Sequence, residues 1–110
     1  MGSHAFLGEF EQVVLLAILQ LGEEAYGVRV QQEIETRATR RVSRGALYVT
    51  LDRLEQKGFL SSRLGEAGAA RGGRPRRYVT VTPAGLEALR GARATLLRLW
   101  QGLEGKLQEQ

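Results

Sequence analysis

The segment from Ser43 to Thr82 constrains the fold of this 110-residue chain more than any other stretch. It begins with a run of helical character that stops at Gly58, and glycine commonly ends a helix in the left-handed conformation. Two short strand-like runs follow, at residues 60–64 and 77–82. The sequence between them is rich in glycine and arginine, too long for a tight turn. A helix followed by such a hairpin predicts a winged helix-turn-helix.

Apolar residues at helical spacing predict further helices before this segment. We expect a first helix ending at Gly22, a second from about residue 26 to 39, and a third with Ser43 as its N-cap. The residues expected to face the core are Phe10, Val13, Val14, Ala17, Ile18, Leu21, Val28, Val30, Ile34, Leu47, Leu51 and Leu54. The predicted fold class is therefore mainly α with a small β-hairpin wing.

A long last helix is predicted from Pro83 to about Leu107, with Thr82 as its N-cap. Its apolar positions alternate in steps of three and four, which is a heptad seam with one defect at Arg93. Such a seam predicts a partner helix, most simply that of a second copy, or a fold back onto the first helix. We therefore divide the chain into a winged helix-turn-helix domain (1–82) and a dimerisation helix (83–110). The predicted interface residues are Leu86, Leu89, Leu96, Trp100, Leu103 and Leu107.

The formal net charge of +4 is unevenly distributed along the chain. Residues 36–78 contain eleven basic and three acidic side chains, whereas residues 1–35 contain one basic and six acidic. The positive charge thus coincides with the third helix and the wing, which favours a polyanionic partner, double-stranded DNA. The alternative is a merely solvated basic surface.

On the third helix, the exposed N-terminal turns are candidates for base contact. The face opposite the leucines consists of Gly45, Val49, Asp52, Arg53 and Gln56. We expect Arg44 to read a guanine, Ser43 to meet a phosphate, and Gly45 either to allow close approach or to be merely tolerated. Tyr48 is either a phosphate contact or a core residue with a solvated hydroxyl. On the wing strand, Arg76 and Arg77 should alternate, one facing phosphate and the other solvent. The predicted DNA-binding set is Ser43, Arg44, Gly45, Tyr48, Val49, Arg53, Arg71, Gly72, Gly73, Arg74 and Arg76.

Several function classes are disfavoured by what the sequence lacks. Without cysteine there are no disulfides, thiolate nucleophiles or cysteine metal sites, and the single histidine, His4, receives no role. No residue set predicts an enzyme, a cofactor or a metal. The apolar run from Val13 to Leu19 is too short to span a bilayer, so we expect a cytoplasmic protein with no membrane partner.

Five segments carry a further signal: residues 7–12, 24–27, 43–48 with 51–58, 71–78 and 82–85. Taken together, they resemble the short members of the PadR family of bacterial transcription regulators. The resemblance implies a homodimeric winged-helix repressor with paired C-terminal helices, for which we expect a near-palindromic operator. It also implies that Trp100 could line a site for a flat apolar effector, although an interface tryptophan more often only packs. Alternatives are a protein-interaction module and a non-specific architectural DNA binder.

Overall fold

The computed structural model describes residues 6–67 and 75–108, and these form helices around a two-stranded antiparallel hairpin. The predicted fold class is confirmed. The elements in chain order are α1 (Glu9–Leu21), a 3-10 turn (Gly22–Glu24), α2 (Gly27–Arg37), α3 (Arg44–Gln56), β1 (Leu60–Ala67), β2 (Pro75–Val81), α4 (Pro83–Trp100) and α5 (Glu104–Gln108).

Two predicted N-caps fix where α3 and α4 begin. The Ser43 hydroxyl accepts a hydrogen bond from the Ala46 amide at 3.0 Å, which satisfies a free donor of the first helical turn. The Thr82 hydroxyl accepts from the Gly85 amide at 3.1 Å and donates to the Gly58 carbonyl at 2.7 Å. Thr82 therefore joins the start of α4 to the chain that leaves α3. Gly58 itself has φ +83°, the left-handed conformation expected of it.

The core lies between α1, α2, α3 and the hairpin. Leu47, Leu51 and Leu54 are buried along one face of α3, as predicted. They pack with Leu15 and Ile34 among the largest fully buried side chains. The prediction that Val28 points inward is wrong, because its side chain is 41% exposed in the first turn of α2. That helix also ends at Arg37 rather than Thr39, which has a positive φ of 48°.

The hairpin has a third, very short partner at its edge. β1 pairs with β2 so that Leu60 lies opposite Val81, and Tyr26 forms an isolated antiparallel bridge with Tyr78. The Val79 amide donates to the Ala25 carbonyl at 3.0 Å. This edge contact attaches the base of the wing to the residues that begin α2.

The first turns of α4 belong to the same core. A Cβ on Gly85 would lie 2.4 Å from the Phe59 carbonyl oxygen, so only glycine allows this approach. Leu89 is buried, and Leu86 packs against the core from a half-buried position. The leading part of the predicted seam therefore packs within its own chain.

The prediction of one continuous helix to about residue 107 is wrong. α4 ends at Trp100, because Gln101 has the non-helical angles φ −54° and ψ 124° and Gly102 has φ +83°. Leu103 and Leu107 follow this break, and Leu107 lies on the short helix α5. The heptad spacing of the sequence therefore continues past a point at which the helix itself stops.

A charged pair joins the start of α1 to the end of α3. The Lys57 ammonium group donates to both carboxylate oxygens of Glu11, at 2.9 and 2.8 Å, and to the Phe6 carbonyl. The Gly8 amide donates to the same carboxylate at 2.8 Å. Burial acts to raise the pKa of Glu11, but these hydrogen bonds and the charges of Lys57 and Arg53 outweigh it and lower the pKa.

Candidate nucleic-acid interface

The outward face of α3 carries most of the side chains that the sequence nominated for DNA contact. Ser43, Arg44, Gly45 and Arg53 are exposed, and Val49 is 56% exposed despite its apolar side chain. Gly45, Val49 and Arg53 lie opposite the buried leucines of the same helix, whereas Ser43 and Arg44 are exposed at its start. An exposed face with arginine and valine near the start of a helix can offer hydrogen bonds and a methyl contact to base edges.

A groove of about 560 Å³ lies between this face, the start of α2 and strand β2. The groove is open to solvent and brings two predicted residues from different elements, Arg44 and Arg76, to one surface. The residues lining it are Tyr26, Gly27, Val28, Arg44, Tyr48, Pro75, Arg76 and Arg77.

Tyr48 is half-buried, with its hydroxyl against the first turn of α2. A Cβ added to Gly27 would lie 2.1 Å from the Tyr48 hydroxyl oxygen and 2.8 Å from Cζ. The absence of a side chain at Gly27 therefore allows α3 to pack closely against the start of α2. The Tyr48 ring packs against the core while the side chain lines the groove, so its two predicted roles are compatible.

Aromatic and guanidinium groups stack across the base of the wing. The Arg76 guanidinium carbon lies 4.1 Å from the centroid of the Tyr26 ring. The Tyr26 and Tyr78 rings meet edge to face with centroids 5.4 Å apart. The Arg63 guanidinium carbon lies 4.5 Å from the Tyr78 centroid. We call these four residues the cation–π stack. The Arg76–Tyr26 and Arg63–Tyr78 contacts restrict arginines that would otherwise be mobile.

Arg77 has a different environment from Arg76. It forms ion pairs with Asp52 at 3.0 Å and Glu55 at 2.8 Å on α3, and it donates to the Ser62 hydroxyl. The hydrogen bond from Ser62, and then that from Arg77, lower the pKa of Glu55 below its usual value. The prediction that one of Arg76 and Arg77 faces solvent is therefore wrong, because Arg76 stacks on Tyr26 and Arg77 connects β2 to the acidic edge of α3.

The positive charge of the interface is not fully balanced by carboxylates in the part of the chain whose side chains the structure describes, residues 6–65 and 75–108. In that part of the chain Arg44, Arg53 and Arg76 form no ion pair, whereas Arg77 forms two. Three unpaired guanidinium groups beside an exposed helix produce a positive potential that attracts phosphate. The predicted residues of the wing tip, Arg71, Gly72, Gly73 and Arg74, lie outside the described residues.

Sequence reasoning missed Tyr26 and Gly27 as parts of this surface. Both occur in one of the segments that resemble the PadR family, but neither carries a charge or a donor pattern that suggests DNA contact. Their importance comes from contacts with residues about 20 and 50 positions away, Tyr48, Arg76 and Tyr78. Such contacts cannot be read from local sequence patterns.

A second surface, on α1 and α4, is apolar. Leu16 and Leu19 on α1, and Leu96, Leu97 and Trp100 on α4, are each between 41% and 50% exposed. They line a groove of about 400 Å³ together with Gln12, Leu86, Leu89, Arg90 and Arg93. Beyond the break, Leu103 is 41% and Leu107 56% exposed. So many partly exposed leucines on one side of a small domain are typical of an interaction surface.

Residues 15–91 match the family model described as the transcriptional regulator PadR-like family. The chain belongs to the PadR family. A solved structure of a PadR family transcriptional regulator from Eggerthella lenta is 32% identical, with a TM-score of 0.68, and the match covers 92% of this chain and 87% of that one. A PadR-like transcriptional regulator from Bacillus cereus is 26% identical, with a TM-score of 0.70 and coverage of 90% and 91%. None of the curated proteins matches significantly.

Membership of the PadR family makes the chain a DNA-binding transcriptional regulator rather than an enzyme. None of the described helices is long and apolar enough to cross a membrane. Within the described ranges, no three metal-ligating side chains cluster at a point where they could hold an ion.

Proposed function

We propose that this PadR-family chain is a homodimeric repressor that binds a near-palindromic operator in double-stranded DNA. The observation that supports this most directly is that, among the described side chains, Arg44, Arg53 and Arg76 beside the exposed face of α3 form no ion pair. In this proposal α3 enters the major groove and the wing lies against the adjacent backbone. The acidic pair Asp52 and Glu55 is already bound to Arg77, so its negative charge is partly neutralised.

Within α3 we assign base reading to its first two turns. Arg44 is exposed at the first helical position and can donate two hydrogen bonds to guanine. Val49 is exposed and apolar, which suits contact with the methyl group of thymine. Ser43, Tyr48 and Arg53 are assigned to phosphates, and Gly45 to close approach, since no heavy atom lies within 4 Å of a Cβ built there.

The apolar surface of α1 and α4 is the proposed dimer interface. Leu96, Trp100 and the two α1 leucines Leu16 and Leu19 are half-exposed in a single copy, and a second copy would remove them from water. Two α3 helices related by a two-fold axis would meet half-sites about one helical turn, roughly 34 Å, apart. The two-fold symmetry of the proposed dimer is the reason for expecting a near-palindrome.

The DNA-binding part of the proposal is tested with Arg44→Ala. We expect a loss of about 1–3 kcal/mol of binding free energy at the operator and relaxed preference at one base pair. Arg98→Ala, which removes an exposed arginine from α4, is the control for net charge. Footprinting and titrations on the DNA upstream of the gene provide the measurements. Affinity that does not depend on salt would favour the protein-interaction alternative, and a footprint with no preferred sequence would favour the architectural one.

The dimer is tested with Leu96→Glu, which places a charge on the apolar surface of α4. Light scattering should show a dimer for the unmodified protein and a monomer, or an unfolded chain, for the variant. A monomer for the unmodified protein at micromolar concentration would contradict the proposed assembly.

A flat apolar effector that stacks on Trp100 would change the fluorescence of the unmodified protein, because Trp100 is its only tryptophan.

A further inference from the structure

We propose that Tyr26 is a positioning residue for DNA binding, whose ring holds the Arg76 guanidinium in the groove so that it meets a backbone phosphate. This inference deepens the proposed function and depends on it, because it concerns the surface assigned to DNA. Its basis is the 4.1 Å stacking contact between Arg76 and Tyr26, together with the position of both residues in the groove lining.

Tyr26 is itself held in place by backbone and ring contacts. Its amide donates to the Glu24 carbonyl at 3.1 Å, and its carbonyl accepts from the Val30 amide at 2.9 Å. Its backbone also bridges to Tyr78, whose ring meets the Tyr26 ring edge to face. Tyr26 is therefore a fixed platform that belongs to both the start of α2 and the edge of the wing.

Stacking on this platform leaves the donors of Arg76 available. A guanidinium group that lies over an aromatic ring still carries N–H groups around its edge, in a planar arrangement that suits phosphate oxygens. Among the side chains described in residues 6–65 and 75–108, no carboxylate pairs with Arg76. The neighbouring Arg77 has its own donors engaged by Asp52 and Glu55 and is not equivalent. Of the two, only Arg76 is held by an aromatic ring and forms no ion pair with the described side chains, so its donors can bind an anion.

The rest of the groove favours the same ligand. Arg44 lines it from α3, and the first turn of α2 contributes Gly27 and Val28. Tyr26 occupies the N-cap position of α2 without a side-chain hydrogen bond to that turn. The backbone donors there thus add to the positive character contributed by the two arginines. A phosphate of the DNA backbone matches this combination, and it would be positioned between the two recognition elements, α3 and the wing.

The test compares Tyr26→Leu, which removes the ring, with Tyr26→Phe, which keeps it. For Tyr26→Leu we expect operator affinity to fall several-fold and the salt dependence of log Kd to fall by roughly one unit per half-site, as for Arg76→Gln. Tyr26→Phe should bind like the unmodified protein. Arg63→Gln removes a cation of the same stack that lies outside the groove, and it should leave the salt dependence unchanged.

A double variant separates positioning from general structural support. In the Arg76→Gln background, Tyr26→Leu should cause little further loss of affinity, because there is no guanidinium left to hold. If Tyr26→Leu weakens binding equally in both backgrounds, Tyr26 is only a structural residue and the inference is overturned. It is also overturned if Arg76→Gln binds normally while Arg44→Ala does not. If the unmodified protein shows no salt-dependent binding to duplex DNA, the proposed function itself fails.

Discussion

Replacing Gly27 with alanine would place a methyl group where the Tyr48 side chain now lies. The new Cβ would be 2.1 Å from the hydroxyl oxygen, 2.8 Å from Cζ and 3.2 Å from Cε1 of Tyr48. Because these separations are well below van der Waals contact, either the tyrosine must leave its position or α2 must move away from α3. Overpacking of this kind costs about 1–3 kcal/mol of unfolding free energy. The same movement would displace the Tyr48 hydroxyl from the proposed DNA-binding surface.

The measurement is urea denaturation at a fixed protein concentration, since dimerisation would make the apparent stability depend on concentration. Gly45→Ala is the matched control, because it makes the same substitution in a helix with no heavy atom within 4 Å of the new Cβ. A second variant, Gly27→Ala combined with Tyr48→Phe, removes the oxygen at 2.1 Å and should recover part of the loss. If Gly27→Ala leaves the unfolding free energy unchanged, both alone and combined with Tyr48→Phe, the close packing of α2 on α3 is refuted.

Three further outcomes are expected. Thr82→Ala should lower the unfolding free energy by about 0.5–2 kcal/mol in urea denaturation, since it removes the α4 cap. Gly45→Ala should raise it by up to about 1 kcal/mol, because alanine is the better helix former, yet weaken operator binding in titrations if the backbone approaches DNA there. The pKa of Glu11 is lowered in the folded state from 4.5, so its contribution to stability is present above that pH and is lost as the pH falls through the folded pKa. Denaturation between pH 6 and 3 should show this loss for the unmodified protein and a flatter profile for Glu11→Gln.

The helix starts and most of the core could be predicted from the sequence because their causes are local. Ser43 and Thr82 cap the helices that follow them, and Gly58 has the left-handed conformation expected after α3. The end of α4 could not be predicted in the same way. The apolar heptad spacing of the sequence continues past Gly102, where the helix has already ended. A heptad pattern indicates which positions share a face, but it does not indicate whether the backbone stays helical.

The proposed site was predictable in part, because exposed arginines on a helix are visible as a pattern. What the pattern could not show is the difference between neighbours. Arg76 and Arg77 are adjacent in sequence, but one stacks on Tyr26 and the other binds Asp52 and Glu55. That difference depends on the antiparallel pairing of β1 with β2 and on the packing of the hairpin against α3, which are contacts between distant segments.

The acidic edge of α3 has a consequence for how the helix can rotate about its own axis in a DNA groove. Asp52 and Glu55 would repel any phosphate brought to their side, and their bond to Arg77 fixes them at the junction with the wing. Only orientations of α3 that turn this acidic edge away from the DNA phosphates would remain favourable. The charge that Arg77 leaves unneutralised would thus restrict the approach that the arginines favour, and it would influence which residues of α3 face the bases.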